Sequence, residues 1–337
     1  MGKDIIVSFK NITIEYFTEK QTLKAVNNVS LDIERGKVTA FVGESGSGKT
    51  TIVSALLSCI SKPGRISGGT VYFYGKDGAE IEIPKLSEKD LATFRWEKIS
   101  MVFQGSQSTL NPLMTVYQQL YETAHYHDAI KSKEEFEQKL DLLFDITKLD
   151  KNRVLKSYPH QLSGGMKQRV MIVFALLLEP ELIILDEPTT ALDVITQEYI
   201  FNQLVEINRR LGVTMILLTH DIGVVAKIAD YITVMYAGSI MEFGDAFTVF
   251  AKKKHPYTRG LIEATPSILV DPSLIKPIPG NPPDIKNLPK GCPFYERCSA
   301  RLEVCKENNP PFARIGKENH FIACHLYQKE IEENGNP

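Results

Sequence analysis

The chain has 337 residues, of which 43% are hydrophobic and 24% charged, so it can bury one large core or two to three smaller ones. A formal net charge of −2 argues against a nucleic-acid binder that works through bulk positive charge. The N-terminus lacks the layout of a signal peptide, and apolar runs such as Val170–Leu178 are shorter than the about 20 residues of a membrane-spanning helix. We therefore expect a chain that does not cross a bilayer and that works at a membrane only by docking on another protein.

The first third of the chain shows strand patterns around one glycine-rich turn. Apolar residues at alternate positions over 12–16 and 29–33 predict half-buried strands. The apolar run 38–42 predicts a buried strand that leads through the glycine-rich turn 43–48 into a helical pattern. The stretch 65–83 is rich in glycine and β-forming residues, which predicts a small antiparallel piece.

The rest of the chain alternates helical and strand patterns until a proline-rich tail begins. Helical periodicity runs from residue 111 to about 178, and short buried strands are predicted at 182–185 and 215–218. A hairpin is expected around Gly238. From residue 266 onward prolines break any regular element, which places a domain boundary near residue 265. No internal repeat is visible, so every motif is present in one copy.

Residues 43–50 fit the phosphate-binding pattern G-x-x-x-x-G-K followed by Ser or Thr. Its glycines let backbone N–H groups point at phosphate oxygens, Lys49 reaches the β- and γ-phosphates, and Thr50 supplies an oxygen to Mg²⁺. The strand before the loop and the helix after it disfavour a chance match. The residues assigned to nucleotide binding here are Gly43, Glu44, Ser45, Gly46, Ser47, Gly48, Lys49, Thr50 and Thr51.

A second candidate segment is the apolar run 182–185 followed by Asp186 and Glu187. Acids at the carboxyl end of a buried strand lie where α/β folds place their ligands. Asp186 suits the shell of Mg²⁺, and Glu187 suits a general base that orients the attacking water. Alone this pattern is weak, because apolar runs that end in acids are common.

A third segment reads Leu-Ser-Gly-Gly-Met-Lys-Gln-Arg over residues 162–169. Ser163 predicts a helix N-cap, and Gly164 and Gly165 allow close approach of another backbone. A second helix N-terminus is therefore built to meet an anion. Taken alone, the segment fits a loop before a core helix equally well.

These motifs, in this order, resemble the ATP-binding cassette (ABC) family over about residues 5 to 260. The resemblance implies that Tyr16 stacks on adenine; its neighbour Phe17 is a weaker candidate, and a core position is the alternative for both rings. Gln104 resembles the Q-loop glutamine, which touches Mg²⁺ or the attacking water and couples to the membrane subunit; a surface glutamine is the alternative.

Two further segments carry the resemblance. Residues 190–193, which end in Asp193, resemble the D-loop, and His220 resembles the switch histidine that holds the γ-phosphate. The resemblance implies that Ser163, Gly164 and Gly165 of one cassette close over ATP held by a second cassette. Because this chain carries one cassette, the second must come from another chain.

The resemblance also implies the fold class. We expect an α/β nucleotide-binding domain over residues 1–265, with a P-loop RecA-like core, an antiparallel β subdomain and an α-helical subdomain at about 105–178. Residues 266–337, here called the C-terminal extension, are expected to form a small cysteine-bearing domain.

Finer features resemble one subgroup, the D-type ATPases of oligopeptide and dipeptide importers. These features are Met166 in the signature, the segments 188–194, 219–225 and 234–238, and the run 255–259 that begins the tail. The subgroup implies a related F-type ATPase as partner, two permeases, an extracytoplasmic solute-binding protein, and a peripheral place on the cytoplasmic face of the membrane. Import of oligosaccharides or another solute, and a non-transport ABC ATPase, remain as alternatives.

The C-terminal extension holds four of the five cysteines, Cys292, Cys298, Cys305 and Cys324. Four thiolates can bind iron–sulfur or zinc, but this spacing matches neither the usual zinc pairs nor a ferredoxin run. The resemblance favours a 4Fe–4S cluster; a zinc or disulfide staple and free buried thiols are the alternatives. His320 and His325 could replace a ligand but are expected at the surface, and Cys59 is expected to be a small core residue.

Overall fold

The computed structural model describes residues 4–19, 21–105, 108–128, 130–190, 192–265, 277–316 and 319–333. By their internal contacts, the residues fall into two units. The first unit comprises Met1–Tyr74, Glu80–Pro84 and Leu218–Pro337, and the second comprises Gly75–Ala79 and Lys85–Leu217. The chain therefore enters the second unit briefly at Gly75–Ala79, leaves the first unit again after Pro84 and returns to it at Leu218.

The elements of both units are numbered in chain order. The strands are β1 (Ile5–Phe17), β2 (Thr22–Glu34), β3 (Val38–Val42), β4 (Gly64–Tyr74), β5 (Glu80–Glu82), β6 (Ile99–Val102), β7 (Leu182–Asp186), β8 (Thr214–Thr219), β9 (Tyr231–Tyr236), β10 (Ser239–Asp245), β11 (Ala313–Arg314) and β12 (His320–Ile322). The helices are α1 (Lys49–Ser54), α2 (Glu88–Glu97), α3 (Val116–Tyr126), α4 (Lys133–Ile146), α5 (Lys151–Val154), α6 (Gly164–Leu176), α7 (Val194–Leu211), α8 (Ile222–Ile228), α9 (Ala246–Lys252), α10 (Pro256–Glu263), α11 (Val304–Glu307) and α12 (Gln328–Glu333).

An antiparallel sheet of order β2-β1-β4-β5 lies in the first unit. In β1, Phe9 pairs with Leu31 of β2 on one side and with Val71 of β4 on the other. All three side chains are buried on one face of the sheet, because residues directly opposite each other on neighbouring strands point to the same face. The predicted antiparallel piece is therefore confirmed, with two long strands that the alternating apolar pattern had indicated.

A second sheet in the first unit runs in the order β11-β12-β10-β9-β3. Strand β3 pairs in parallel with β9, and all five of its residues are buried. A strand buried on both faces reads as a continuous apolar run, which is how 38–42 reads. The hairpin β9–β10 turns at Gly238, as expected, and β12 of the C-terminal extension adds to its outer edge through the pairs from Glu242 to Gly244.

The core of the first unit joins β9 and α10 to the C-terminal extension. Tyr236 of β9 meets Tyr257 of α10 and Phe294 of the extension, with ring centroids 4.6 and 5.3 Å apart. Cys292 and Cys305 belong to the same buried cluster. Edge-on aromatic packing of this kind stabilises beyond the area that it buries.

In the second unit the strand order is β8-β7-β6, and β6 and β7 are parallel. Helices α2–α7 belong to the same unit. The predicted helical stretch is confirmed, and α3–α6 fall within it. Side chains cap these helices at Thr115, Ser132, Asp150 and Ser163, each accepting from a backbone N–H one turn on. Among the helices of the described ranges, none is long and apolar enough to cross a membrane.

Candidate nucleotide site

Two glycines fix the path of the loop between β3 and α1. Gly43 has φ +150°, and a Cβ there would lie 2.2 Å from the carbonyl oxygen of Met235. Gly48 has φ +98°, and a Cβ there would lie 2.6 Å from the carbonyl oxygen of Ala25. Both positions therefore require glycine, for their conformation and for the close approach of another backbone segment.

The ammonium of Lys49 lies inside this loop. Its Nζ donates to the carbonyl oxygens of Gly43 at 2.7 Å and Glu44 at 3.1 Å, and to the hydroxyl of Ser47 at 3.3 Å. The residue is only 7% exposed, whereas the following Thr50 is exposed. The positive charge is thus held at the centre of the loop, where a phosphate-binding lysine has to be.

Tyr16 and His220 were also assigned to the nucleotide, and both lie in the first unit. Tyr16 is half-buried near the end of β1 and pairs with Gly64, where a Cβ would lie 2.8 Å from the tyrosine ring. Phe17 is covered by the guanidinium of Arg65, 4.1 Å from its ring centroid. His220 is exposed directly after β8 and precedes Asp221, which caps α8.

In the second unit the structure brings Gln104 and Glu187 together. The side-chain amide of Gln104 donates to Oε2 of Glu187 at 2.8 Å, and the hydroxyl of Thr190 donates to the same oxygen at 3.1 Å. This follows from the parallel pairing of β6 and β7, because the carboxyl ends of parallel strands meet at one edge. Asp186 ends β7 and is 6% exposed.

The backbone of Glu187 is in the left-handed region, with φ +45°. Few residues other than glycine adopt this conformation, and such strained positions cluster at functional sites. The strained backbone and the two hydrogen bonds fix where the carboxylate points. A carboxylate held in this way is suited to orient a water molecule.

The segment 162–169 forms the predicted N-terminus of α6. The hydroxyl of Ser163 accepts from the N–H of Met166 at 3.3 Å, which confirms the N-cap. A Cβ on Gly165 would lie 2.6 Å from Cγ2 of Thr196, so the start of α6 passes unusually close to α7. The neighbour that approaches Gly165 is therefore a side chain, that of Thr196, and not another backbone.

Asp193 is the N-cap of α7, and its carboxylate accepts from the N–H of Thr196 at 3.0 Å and from the hydroxyl of Thr196 at 2.7 Å. The hydrogen bond from the Thr196 hydroxyl, followed by that from its backbone, lowers the pKa of Asp193 below its usual value. Ala191, in the same predicted loop, lies outside the described residues. Thr196 therefore contacts both Asp193 and Gly165, a role that sequence reasoning missed.

The expectation of an iron–sulfur cluster is wrong. Among the described residues, which include all four cysteines of the C-terminal extension, no three His, Cys, Asp or Glu side chains are grouped so as to hold a metal ion. This also leaves the zinc alternative without a set of ligands. The four cysteines are free and line one small cavity.

The surroundings of these thiols set their protonation state. Burial raises the pKa of Cys292 to about 12 and that of Cys324 to about 11, which keeps both protonated at neutral pH. Burial also raises the pKa of Cys298. These thiols act as small apolar side chains, and two of them, Cys292 and Cys305, pack in the core of the first unit.

Two further expectations need correction. His320 is 1% exposed, not at the surface, and its Nε2 lies 2.7 Å from the fully buried carboxylate of Glu242. This pair links β12 to β10. Cys59 is exposed and lies after α1, so it is not a core residue of that helix.

Comparison with known families gives two matches. The family described as "ABC transporter" matches residues 26–190. The family described as "Oligopeptide/dipeptide transporter, C-terminal region" matches residues 241–305. The second match includes three of the four clustered cysteines and begins inside β10.

Individual relatives match over nearly the full length. The chain is 43% identical to a dipeptide transport ATP-binding protein, DppD, of Caldanaerobacter subterraneus subsp. tengcongensis over 96% of this chain and 98% of that protein. It is 41% identical to an oligopeptide transport ATP-binding protein, OppD, of Salmonella typhimurium over 98% of this chain and 95% of that protein. A solved dimer of MJ0796, described as a bacterial ABC transporter cassette, is 31% identical with a TM-score of 0.61, covering 72% of this chain and 99% of the other.

Proposed function

The chain belongs to the ABC transporter family, as an ATP-binding subunit of oligopeptide and dipeptide importers, and on this premise we propose how its residues divide the work of ATP hydrolysis. The subunit binds ATP with Mg²⁺ and hydrolyses it to energise peptide import. It acts together with permease and substrate-binding subunits, as an importer requires. The other cargoes and the non-transport ATPase are not favoured.

We assign phosphate binding to the loop 43–51, in which the ammonium of Lys49 already lies among loop oxygens. The hydroxyl of Thr50 in the first unit, and Asp186 and Gln104 in the second, are assigned to Mg²⁺ because hydroxyl, carboxylate and amide oxygens are the ligands it accepts. Bound Mg²⁺ neutralises charge that develops on the phosphates. Tyr16 is assigned to adenine and His220 to the γ-phosphate.

Glu187 is the proposed general base, and its geometry is the single observation that most supports the catalytic assignment. Its strained backbone and its hydrogen bonds from Gln104 and Thr190 hold one carboxylate oxygen in a set direction. A general base must be oriented as well as ionised to take a proton from water. Gln104 thereby links the base to the loop that follows β6.

Ser163, Gly164 and Gly165 are proposed to meet ATP held by a second cassette. The capped start of α6 provides backbone N–H groups, and the contact of Gly165 with Thr196 ties this surface to Asp193. We propose that the second cassette is a distinct F-type chain, that two permeases and an extracytoplasmic binding protein complete the importer, and that the subunit lies on the cytoplasmic face of the membrane. We also propose a domain boundary near residue 265, where the proline-rich stretch begins.

The test is purification of the tagged chain from its native membrane, with mass spectrometry of the chains that come with it. We expect a second, different cassette, two permeases and a solute-binding protein, and peptide-stimulated ATP hydrolysis once the set is reconstituted in vesicles. An untagged strain is the control for adventitious binding. Recovery with ribosomes or DNA and without a permease would contradict the partner assignment.

A further inference from the structure

We propose that Arg297, in the C-terminal extension, is a positioning residue for the phosphate-binding loop. Its guanidinium orients and neutralises Glu44, the second residue of that loop. The proposal rests on the assignment of residues 43–51 to phosphate binding. Its consequence is that the extension completes the nucleotide site of its own chain, although it lies about 250 positions away in sequence.

The contact between Arg297 and Glu44 is two-pronged. Nη1 of Arg297 donates to Oε2 of Glu44 at 2.6 Å, and Nη2 donates to Oε1 at 2.9 Å. The side chain of Arg297 is 6% exposed and that of Glu44 25% exposed. Paired hydrogen bonds between planar groups set the orientation of both, which a single contact to a lysine cannot do.

Arg297 is itself held in place by the extension and by β9. Its Nε donates to the carbonyl oxygen of Pro279 at 2.8 Å, and its Nη1 also reaches the hydroxyl of Tyr236 at 3.2 Å. It ends a 3₁₀ turn, Tyr295–Arg297, that follows Cys292 closely in the chain. These contacts hold the guanidinium in place independently of its contact with the loop.

Glu44 is also held through its backbone. Its N–H donates to the hydroxyl of Tyr257 at 3.0 Å, and its carbonyl oxygen accepts from Nζ of Lys49 at 3.1 Å. The N–H of Ser47 donates to the same carbonyl at 3.2 Å. A shift of the backbone at Glu44 therefore moves a carbonyl oxygen that helps to place the lysine ammonium.

Charge gives the contact a second role. An unpaired carboxylate on a loop that binds a triphosphate would repel it, and the repulsion is strong where burial reduces screening by water. The guanidinium cancels that charge at contact distance. Pro282 and Pro283 of the extension line one cavity with Glu44 and Ser45, so the extension covers this side of the loop.

A purely structural role for Arg297, in which it only attaches the extension to the rest of the first unit, makes a different prediction. Loss of that attachment impairs nucleotide binding whether or not Glu44 is charged. Loss of neutralisation harms nucleotide binding only while the carboxylate remains. The two roles are therefore separated by removing the charge on Glu44 in the same chain.

The experiment measures KM and kcat for MgATP hydrolysis by the complete reconstituted importer. We expect Arg297→Ala to raise KM about tenfold with a much smaller change in kcat, since it removes binding common to ground and transition states. Arg297→Lys should recover part of the loss, because it restores the charge without the paired geometry. Glu44→Gln should lower KM, because it leaves the guanidinium's charge uncompensated beside the loop.

The deciding variant is Arg297→Ala with Glu44→Gln, for which we expect KM at least fivefold below that of Arg297→Ala alone. Arg301→Ala is the matched control, an exposed arginine of the same extension that contacts Tyr295 rather than the loop. If the double variant is as impaired as Arg297→Ala, or if Arg297→Ala leaves KM unchanged, the proposal is wrong. If the importer with Arg297→Ala does not assemble, Arg297→Met, which is closer in volume to arginine, replaces it both as the single variant and in combination with Glu44→Gln. Absence of hydrolysis by the unmodified importer would instead contradict the proposed function.

Discussion

The side-chain amide of Gln104 donates to the carboxylate of Glu187 across the ends of two parallel strands, with 2.8 Å between Nε2 and Oε2. The two residues are 83 positions apart in the chain, and no local pattern predicts that they meet. The hydrogen bond orients the carboxylate of Glu187, and it equally holds the side-chain amide of Gln104 in place. Predictions for both residues follow from this geometry.

Replacing Glu187 with Gln should leave ATP binding intact and reduce turnover by about 100-fold or more, the usual worth of a general base. The amide keeps the size and the hydrogen-bonding reach of the side chain but cannot accept a proton. The measurement is ATP affinity and single-turnover hydrolysis in the assembled importer. Glu206→Gln, which removes a carboxylate paired with Arg209 on α7, is the control, and near-normal turnover in Glu187→Gln would remove this residue from the role.

Replacing Gln104 should act through Glu187. Gln104→Ala removes one donor to the carboxylate and should lower kcat several-fold. Gln104→Glu replaces the donor with a second carboxylate, which repels the carboxylate of Glu187, so kcat should fall further than in Gln104→Ala. Both values of kcat are compared with that of the unmodified importer, and an unchanged kcat in both variants would show that Gln104 does not influence the base.

Lys49→Ala should weaken ATP binding and abolish hydrolysis. A charge-assisted hydrogen bond is worth about 1.5–3 kcal/mol, so affinity should fall roughly 10- to 100-fold. Equilibrium titration with a fluorescent ATP analogue measures the change. Lys10→Ala, which removes an exposed lysine that lies over the ring of Tyr72 in the antiparallel sheet, is the control. Unchanged affinity in Lys49→Ala would count against the whole loop assignment.

Gly165→Ala should impair hydrolysis because the new methyl group collides with Cγ2 of Thr196. Thr196 cannot easily turn away, since its hydroxyl is bonded to Asp193 at 2.7 Å. Adding Thr196→Ser removes the colliding methyl group and keeps the hydroxyl, so the double variant should regain a large part of the activity. Thr196→Ser alone serves as the reference. No recovery in the double variant would mean that Gly165 is required for another reason, such as contact with nucleotide.

The buried His255 should make the stability of the first unit depend on pH. Burial lowers its pKa to about 4, against the raising effect of Glu242, and its Nδ1 accepts from the N–H of Tyr257 at 3.0 Å. The unfolded histidine, with a pKa near 6.5, takes up a proton that the folded one refuses. Stability is therefore lost as pH falls from about 6.5 toward 4, by an amount on the order of 3 kcal/mol in all.

His255→Asn tests this, because asparagine keeps an acceptor for the N–H of Tyr257 but does not titrate. Urea unfolding of the unmodified protein and of the variant is followed at pH 7.0 and at pH 5.0, and the urea midpoint is measured in each case. We expect the drop in urea midpoint between the two pH values to be smaller in the variant. Equal drops would show that groups other than His255 cause the pH dependence.

Much of the fold and several local features of the site follow from the sequence. The buried strands β3, β7 and β8 were predicted because each is a short apolar run, and a residue's tendency to be buried is a property of its own side chain. The cap at Ser163 and the glycine loop at 43–48 were predicted because their chemistry depends on neighbours within a few positions. Such features are determined locally and can be read in chain order.

Only the tertiary structure decided what distant residues do to one another. It placed β12 on the edge of β10, Thr196 against Gly165, and Arg297 on Glu44, each through a contact that spans many residues. It also showed that the four clustered cysteines do not form a ligand set, which their number had suggested. Spacing along the chain gives the order of side chains, but distance, burial and direction in space determine whether they bind a metal, pair with a charge or pack in a core.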